Sequence, residues 1–150
     1  MIKALDHVNI VVSDLSKATE FFVAIGFTIS SSGNLESDWV SDVVGLSKAE
    51  AQYVQLSLPE SRTRLELIHY SFPVSGRDGN VGKANQIGIR HVAFEVDDID
   101  SVVEALTDND VTFFSEIKTY EPLSKRLVYF YGPDGIILEL AEYGDQELPT

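Results

Sequence analysis

Two histidines and two glutamates stand in the middle of short strand-like segments. His7 and His91 each lie in a run of mostly apolar residues, and Glu66 and Glu139 each lie between two leucines. Strand side chains alternate between two faces, so one face of each segment is almost wholly apolar. The other face carries the histidine or the glutamate. The four strands are therefore predicted to present these side chains to the concave side of a sheet: His7, Glu66, His91 and Glu139.

This set of side chains suits a metal ion. An isolated carboxylate is costly to bury in mid-strand, and two carboxylates facing two imidazoles indicate a counter-charge between them. Mixed nitrogen and oxygen ligands suit divalent first-row ions, namely Ni, Zn, Co, Fe or Mn. The ligand types do not choose among these metals. For any one of the four residues alone, a hydrogen-bonded core histidine or a water-facing glutamate is the simpler interpretation.

Few basic residues are placed to meet an anionic substrate. Arg64 shares a strand face with Glu66, so it is expected either to contact substrate or to pair with that glutamate. The pair is slightly favoured. Lys125 and Arg126 are expected in a loop before a late strand. Arg126 is the second candidate for substrate contact, although solvation is the simpler account of both residues. His69 has the opposite parity from Glu66 and is interpreted as structural or surface.

The elements that must position these residues follow from periodicity and turn signals. Ser13 or Asp14 is expected to cap the first helix, and Asp97 the last. Residues 71–87 are rich in Gly and Pro and form the candidate linker, and 144–150 is an expected short tail. Strands are predicted at 4–12, 27–31, 51–58, 63–70, 88–96, 111–117, 126–131 and 136–141, and helices at 14–25, 37–44 and 98–108.

The two halves of the chain repeat. His7-Val8 matches His91-Val92 at an offset of 84 positions, and the Leu-Glu-Leu around Glu66 matches that around Glu139 at an offset of 73. The first half therefore carries 11 extra residues, most naturally within 32–50. The repeat predicts two copies of one unit, about 1–70 and 88–143, whose sheets face each other about a pseudo-two-fold axis.

Composition excludes several classes of function. The 150 residues include 24 acids, 11 bases, three histidines and no cysteine, for a net charge of −13. Nucleic acid and anionic membrane surfaces are unsuitable partners for so acidic a chain. The absence of cysteine excludes a disulfide framework, a thiol nucleophile and a sulfur-ligated metal. The expectation is a cytoplasmic domain with a small-molecule substrate, because no membrane span or signal-peptide pattern is present.

Four segments together resemble the vicinal oxygen chelate superfamily, which includes glyoxalase I, methylmalonyl-CoA epimerase, extradiol dioxygenases and bleomycin resistance proteins. They are DHVNIVVSDLSKATEFF, RLELIHY, IRHVAFEVDDIDSVVEAL and YFYGPDGIILELAEY. The resemblance implies an α+β fold of two βαβββ modules, with helices outside an eight-stranded, open, cup-shaped mixed sheet and a divalent metal inside. His7, Glu66, His91 and Glu139 fall on the four ligand positions.

The order His, Glu, His, Glu looks like bacterial glyoxalase I, whereas the epimerases usually have Gln where Glu66 stands. Two features of glyoxalases are missing, a basic residue soon after His7 and an Asn-containing segment after Glu66. The resemblance therefore implies a metal site and a proton transfer more directly than it implies glutathione as a cosubstrate.

The expected function is a metal-dependent, glyoxalase I-like lyase or isomerase acting on a small α-hydroxycarbonyl or hemithioacetal through an enediolate. By resemblance, Glu139 is the first choice for the catalytic base, with Glu66 as ligand or second acid/base, although the repeat makes these roles exchangeable. The alternatives are a non-catalytic binding or resistance protein, an epimerase, or a dioxygenase, which the extra carboxylate of Glu66 disfavours. A homodimer is expected from the family.

Overall fold

The computed structural model describes residues 1–144, and the chain divides into two compact units, Met1–Arg77 (unit 1) and Asp78–Thr150 (unit 2). The division falls inside the Gly- and Pro-rich segment 71–87. The expected tail lies, from residue 145 onward, outside the described residues.

Unit 1 is one four-stranded mixed sheet with two helices. The sheet order is β1-β4-β3-β2, with β1 parallel to β4 and the other neighbours antiparallel. The elements are β1 (His7–Val11), α1 (Leu15–Ala24), β2 (Thr28–Glu36), α2 (Asp38–Val44), β3 (Glu50–Ser57) and β4 (Arg64–Phe72).

Unit 2 repeats this arrangement with one helix. Its sheet order is β5-β8-β7-β6, again with the first pair parallel and the others antiparallel. The elements are β5 (His91–Glu95), α3 (Ile99–Thr107), β6 (Lys118–Tyr120), β7 (Lys125–Tyr131) and β8 (Ile137–Tyr143). The α+β class and the paired βαβββ order are confirmed, with the eight strands in two four-stranded sheets.

Each core forms where the apolar face of a strand meets a helix. In β4, Leu65 and Leu67 are buried on the face away from Glu66, and α1 packs against β3 and β4. In β8, Leu138 and Leu140 are buried on the face away from Glu139, and α3 packs against this strand. Burying one such side chain contributes about 1.5–3 kcal/mol. This alternation fixes the register and leaves the glutamates on the other face.

Both long helices begin at an aspartate. Asp14 accepts a hydrogen bond from the Lys17 amide at 3.0 Å, and Asp98 accepts one from the Ser101 amide at 3.1 Å. The cap of α3 is therefore Asp98, and the prediction of Asp97 was wrong by one residue. The helices described among residues 1–144 have 10, 7 and 9 residues, and none is long and apolar enough to cross a membrane.

Two strand predictions were also wrong. β2 continues to Glu36, because the polar residues from Ser31 onward pair with β3 after a register shift between Ile29 and Ser31. β6 is only Lys118–Tyr120, whereas a strand was predicted at 111–117. In that segment Phe113 makes a single bridge to Phe130, and the neighbouring Phe114 packs on aromatic rings of β7. The phenylalanine side chains of this segment pack against β7 without a continuous ladder of backbone hydrogen bonds.

Candidate functional site

In unit 1, parallel pairing of β1 with β4 brings the first histidine and the first glutamate together. Asn9 lies opposite Glu66 in the register, and His7 lies two residues earlier on the same face. The Nε2 atom of His7 is 4.0 Å from Oε1 of Glu66, and Asn9 Nδ2 donates to the same oxygen at 3.0 Å. The Glu66 side chain is 22% exposed. Nε2 of His7 and Oε1 of Glu66, the two atoms that could bind a metal, thus lie near each other on one face of the sheet.

A carboxylate behind His7 orients its ring. Nδ1 of His7 lies 2.7 Å from Oδ2 of Asp6, and Arg64 donates to both oxygens of Asp6 at 2.8 and 2.9 Å. The hydrogen bond with His7 and the charge of Arg64 lower the pKa of Asp6. An Nδ1–H that donates to Asp6 leaves the Nε2 lone pair directed toward Glu66. The expected pairing of Arg64 with Glu66 was wrong, because Asp6 takes the guanidinium.

In unit 2, β5 pairs with β8 in the same parallel register and brings His91 to Glu139. Nε2 of His91 is 3.0 Å from Oε2 of Glu139. Glu139 is 3% exposed, the one buried charged residue described in residues 1–144. A carboxylate buried this deeply requires charged or hydrogen-bonding partners.

Lys125 supplies the second partner of Glu139 and was missed as a site residue. Its Nζ donates to Oε1 of Glu139 at 2.6 Å and lies 5.7 Å from the centre of the Tyr143 ring. The hydrogen bond to Glu139 raises the pKa of Lys125. The placement of Lys125 and Arg126 in a loop was wrong, since both belong to β7. Strand alternation started at residue 125 would have placed Lys125 on the glutamate face.

Aromatic side chains extend the Glu139 face of unit 2. The Tyr129 ring lies 4.8 Å from the His91 ring, and burial and the charge of Glu139 raise the pKa of Tyr129. Phe114 packs edge-on against Tyr129, with 6.0 Å between ring centres. A shallow groove of about 220 Å³ follows these rings. It is lined by Phe114, Ser115, Lys118, Leu127, Val128 and Tyr129.

Arg126 and His69 lie on the faces opposite to the glutamates. Arg126 donates to both oxygens of Asp100 in α3 at 2.7 and 3.0 Å, and to Glu142 at 3.1 Å. These carboxylates raise its pKa. This position gives no support to the substrate role predicted for Arg126. Nδ1 of His69 lies 3.0 Å from the Val12 carbonyl oxygen, a contact of the kind that a structural histidine makes.

The donor chemistry of each pair fits a divalent metal. Each unit places an imidazole Nε2 next to a carboxylate oxygen, and one histidine has the carboxylate partner on Nδ1 that metal-bound histidines commonly have. Within residues 1–144 there is no cluster of three or more His, Cys, Asp or Glu side chains that could hold a metal. Each pair by itself therefore offers two ligands.

Comparisons with known proteins agree with this fold. Residues 4–140 match the sequence model of the glyoxalase/bleomycin resistance protein/dioxygenase superfamily. A crystal structure of a glyoxalase family protein from Bacillus cereus has a TM-score of 0.90 and 32% identity, covering 97% of both chains.

Two curated relatives extend over most of the chain. The uncharacterized protein YaeR of Escherichia coli is 31% identical over 144 residues, which is 94% of this chain and 97% of that protein. Human mitochondrial methylmalonyl-CoA epimerase is 29% identical over 144 residues, which is 92% of this chain and 73% of the epimerase.

Proposed function

Because the chain belongs to the glyoxalase/bleomycin resistance protein/dioxygenase superfamily, we propose that it is a metal-dependent lyase or isomerase of the glyoxalase I type. Its substrate is a small α-hydroxycarbonyl compound or hemithioacetal, and the reaction moves a proton between neighbouring carbons. One observation carries the proposal. Both units place a histidine Nε2 beside a glutamate carboxylate at the same positions of a repeated fold.

The proposed metal ligands are the two pairs, His7 with Glu66 and His91 with Glu139. Nitrogen and oxygen donors of this kind suit Ni, Zn, Co, Fe or Mn. When bound, such an ion supplies Lewis acidity that stabilises negative charge on neighbouring substrate oxygens. No basic residue of the chain has to take that task.

The proton transfer needs a carboxylate with an available oxygen, and the contacts distinguish the two glutamates. Oε1 of Glu139 already accepts from the Lys125 ammonium, whereas Glu66 accepts from the neutral amide of Asn9. Glu66 is also the more exposed of the two. The contacts therefore favour Glu66 as the base and Glu139 as a fixed ligand, which reverses the order expected from the sequence.

An epimerase is the second candidate, supported by the similarity to human methylmalonyl-CoA epimerase over 92% of this chain. Both reactions remove a proton from a carbon next to a carbonyl group, so both need the same general base.

We also propose that the protein works in the cytoplasm and that it is a homodimer. Light scattering of the purified protein would test the homodimer.

The test is turnover by protein loaded separately with each of the five metals. Methylglyoxal is supplied with glutathione and with other small thiols, and a parallel reaction follows deuterium uptake by methylmalonyl-CoA in D₂O. We expect product from at least one thiol and a loss of that product in Glu66→Gln, with Glu104→Gln on α3 as the matched control. No product with any thiol or metal would reject the lyase. Deuterium uptake alone would establish the epimerase instead.

A further inference from the structure

Lys125 is a difference between the two repeated units, and it lies next to the glutamate that they have in common. Tyr143 and Tyr70 occupy equivalent positions after the two glutamates. The residue paired with Tyr143 is Lys125, and the residue paired with Tyr70 is Ala51. Among the described strands, unit 2 therefore has an ammonium group in the strand beside its glutamate, and unit 1 has alanine at that position.

This ammonium is held close to the carboxylate rather than in solvent. The Lys125 side chain is 18% exposed and that of Glu139 is 4% exposed, with 2.6 Å between Nζ and Oε1. In so buried a pair the positive charge is weakly screened. A divalent cation held by Glu139 and His91 would lie near the Lys125 ammonium, and the two positive charges would repel each other while sharing one carboxylate.

We propose that Lys125 is a positioning residue that competes with a divalent cation for Glu139 and thereby weakens metal binding by the His91–Glu139 pair. The inference rests on the proposed function, because it concerns the same ligands. Within residues 1–144 no ammonium or guanidinium group contacts Glu66, whose carboxylate accepts a hydrogen bond from the neutral Asn9 amide. Lys125 thus holds the metal affinity of the His91–Glu139 pair below the affinity that these two ligands would have without it.

The physical alternative is that Lys125 only stabilises the fold. A stabilising pair alone predicts that its removal lowers the melting temperature and leaves metal affinity unchanged or weaker. Competition predicts the opposite sign for affinity, because the metal no longer shares Glu139 with a like charge. The sign of the change in metal affinity therefore separates the two accounts.

The experiment is a calorimetric titration of the full chain with Co²⁺ alone at pH 7.5, with visible absorption of the bound Co²⁺ as a second readout. Lys125→Met keeps the length of the side chain and removes its charge. We expect it to bind Co²⁺ on the order of tenfold more tightly than the wild type. Lys125→Arg keeps the charge and is expected to bind like the wild type.

Two control variants complete the series. Lys83→Met removes an exposed lysine of unit 2 and is expected to leave affinity unchanged. His91→Ala removes a proposed ligand and is expected to weaken binding strongly. Where Lys125→Met does not fold by circular dichroism, Lys125→Gln takes its place with the same expected result.

The outcomes separate the two proposals. Unchanged or weaker binding by the neutral Lys125 variant, together with loss of binding in His91→Ala, overturns the competition and leaves the proposed function standing. Tighter binding by the neutral variant, with Lys125→Arg like the wild type, supports the competition. Absence of Co²⁺ binding by the wild type and by every Lys125 variant overturns the ligand set and the competition together.

Discussion

Glu66 and Glu139 occupy equivalent strands of a repeated unit, yet their surroundings differ. Glu66 is 22% exposed and accepts a hydrogen bond from an amide, whereas Glu139 is 4% exposed and lies between an ammonium and an imidazole. The facing side chains differ too. Gln55 lies opposite Glu66 in the register, and Tyr129 lies opposite Glu139.

The histidines of the two units are held by different means. His7 is fixed through Nδ1 by Asp6, which Arg64 anchors in turn. The equivalent of Asp6 in unit 2 is Arg90, whose guanidinium donates to loop carbonyl oxygens. His91 instead lies against the Tyr129 ring. The two units share a histidine and a glutamate at equivalent positions while the contacts that support them differ, which allows the two pairs to take different roles.

The largest expected effect tests that division of roles directly. Glu66→Gln should lower kcat by about 10²- to 10⁴-fold, because a general base is lost while the carboxylate of Glu139 remains. Glu139→Gln should instead reduce the metal that copurifies with the protein more than Glu66→Gln does. Steady-state kinetics and elemental analysis of both variants provide the measurement. Equal loss of kcat and of metal in the two variants would contradict the division.

The support of the two histidines is the next comparison. Asp6→Asn should weaken metal binding by roughly 10-fold, because the partner that orients the His7 ring loses its charge. Arg90→Gln, the matched change in unit 2, should leave metal affinity near that of the wild type. Calorimetric titration with Co²⁺ measures both. An Asp6→Asn variant that binds as tightly as the wild type would show that the Asp6 contact does not support the site.

The smallest effect concerns the two helix caps. Asp98 accepts from both the amide and the hydroxyl of Ser101, whereas the Asp14 side chain accepts from the Lys17 amide. Asp98→Ala should therefore lower the melting temperature at neutral pH more than Asp14→Ala does. Asp97→Ala, next to the cap, is the control and should have little effect.

The cap of α3 also predicts a pH dependence. Hydrogen bonds from the Ser101 hydroxyl and amide lower the pKa of Asp98 below 3.8. A lowered pKa means that this stabilisation is present above 3.8 and is lost as the pH falls through the folded-state pKa. The difference in melting temperature between the wild type and Asp98→Ala should shrink as the pH falls below 3.8 and close in strong acid, where Asp98 is protonated in the folded state. A difference that persists there would mean that Asp98 acts by another route.

Much of the candidate site could be predicted from the sequence, because strand alternation is local. Leucines on both sides of Glu66 and Glu139 must face the core, and this places the glutamates on the other face. Lys125 escaped prediction because the start of β7 was placed one residue late. Asp6 escaped because alternation along the predicted strand 4–12 puts it on the face away from His7, whereas in the structure it precedes β1.

The sequence by itself determined the repeat, the α+β order of elements and the four side chains that lie on the strand faces away from the leucine core, since each follows from short-range periodicity. Only the tertiary structure decided which charges meet. Arg64 donates hydrogen bonds to Asp6 and not to Glu66, and the residue that donates to Glu139 is Lys125 and not Arg126. Such pairings depend on the register between strands that are distant in the chain. Local periodicity constrains each strand, but pairing between strands brings specific atoms within hydrogen-bonding distance.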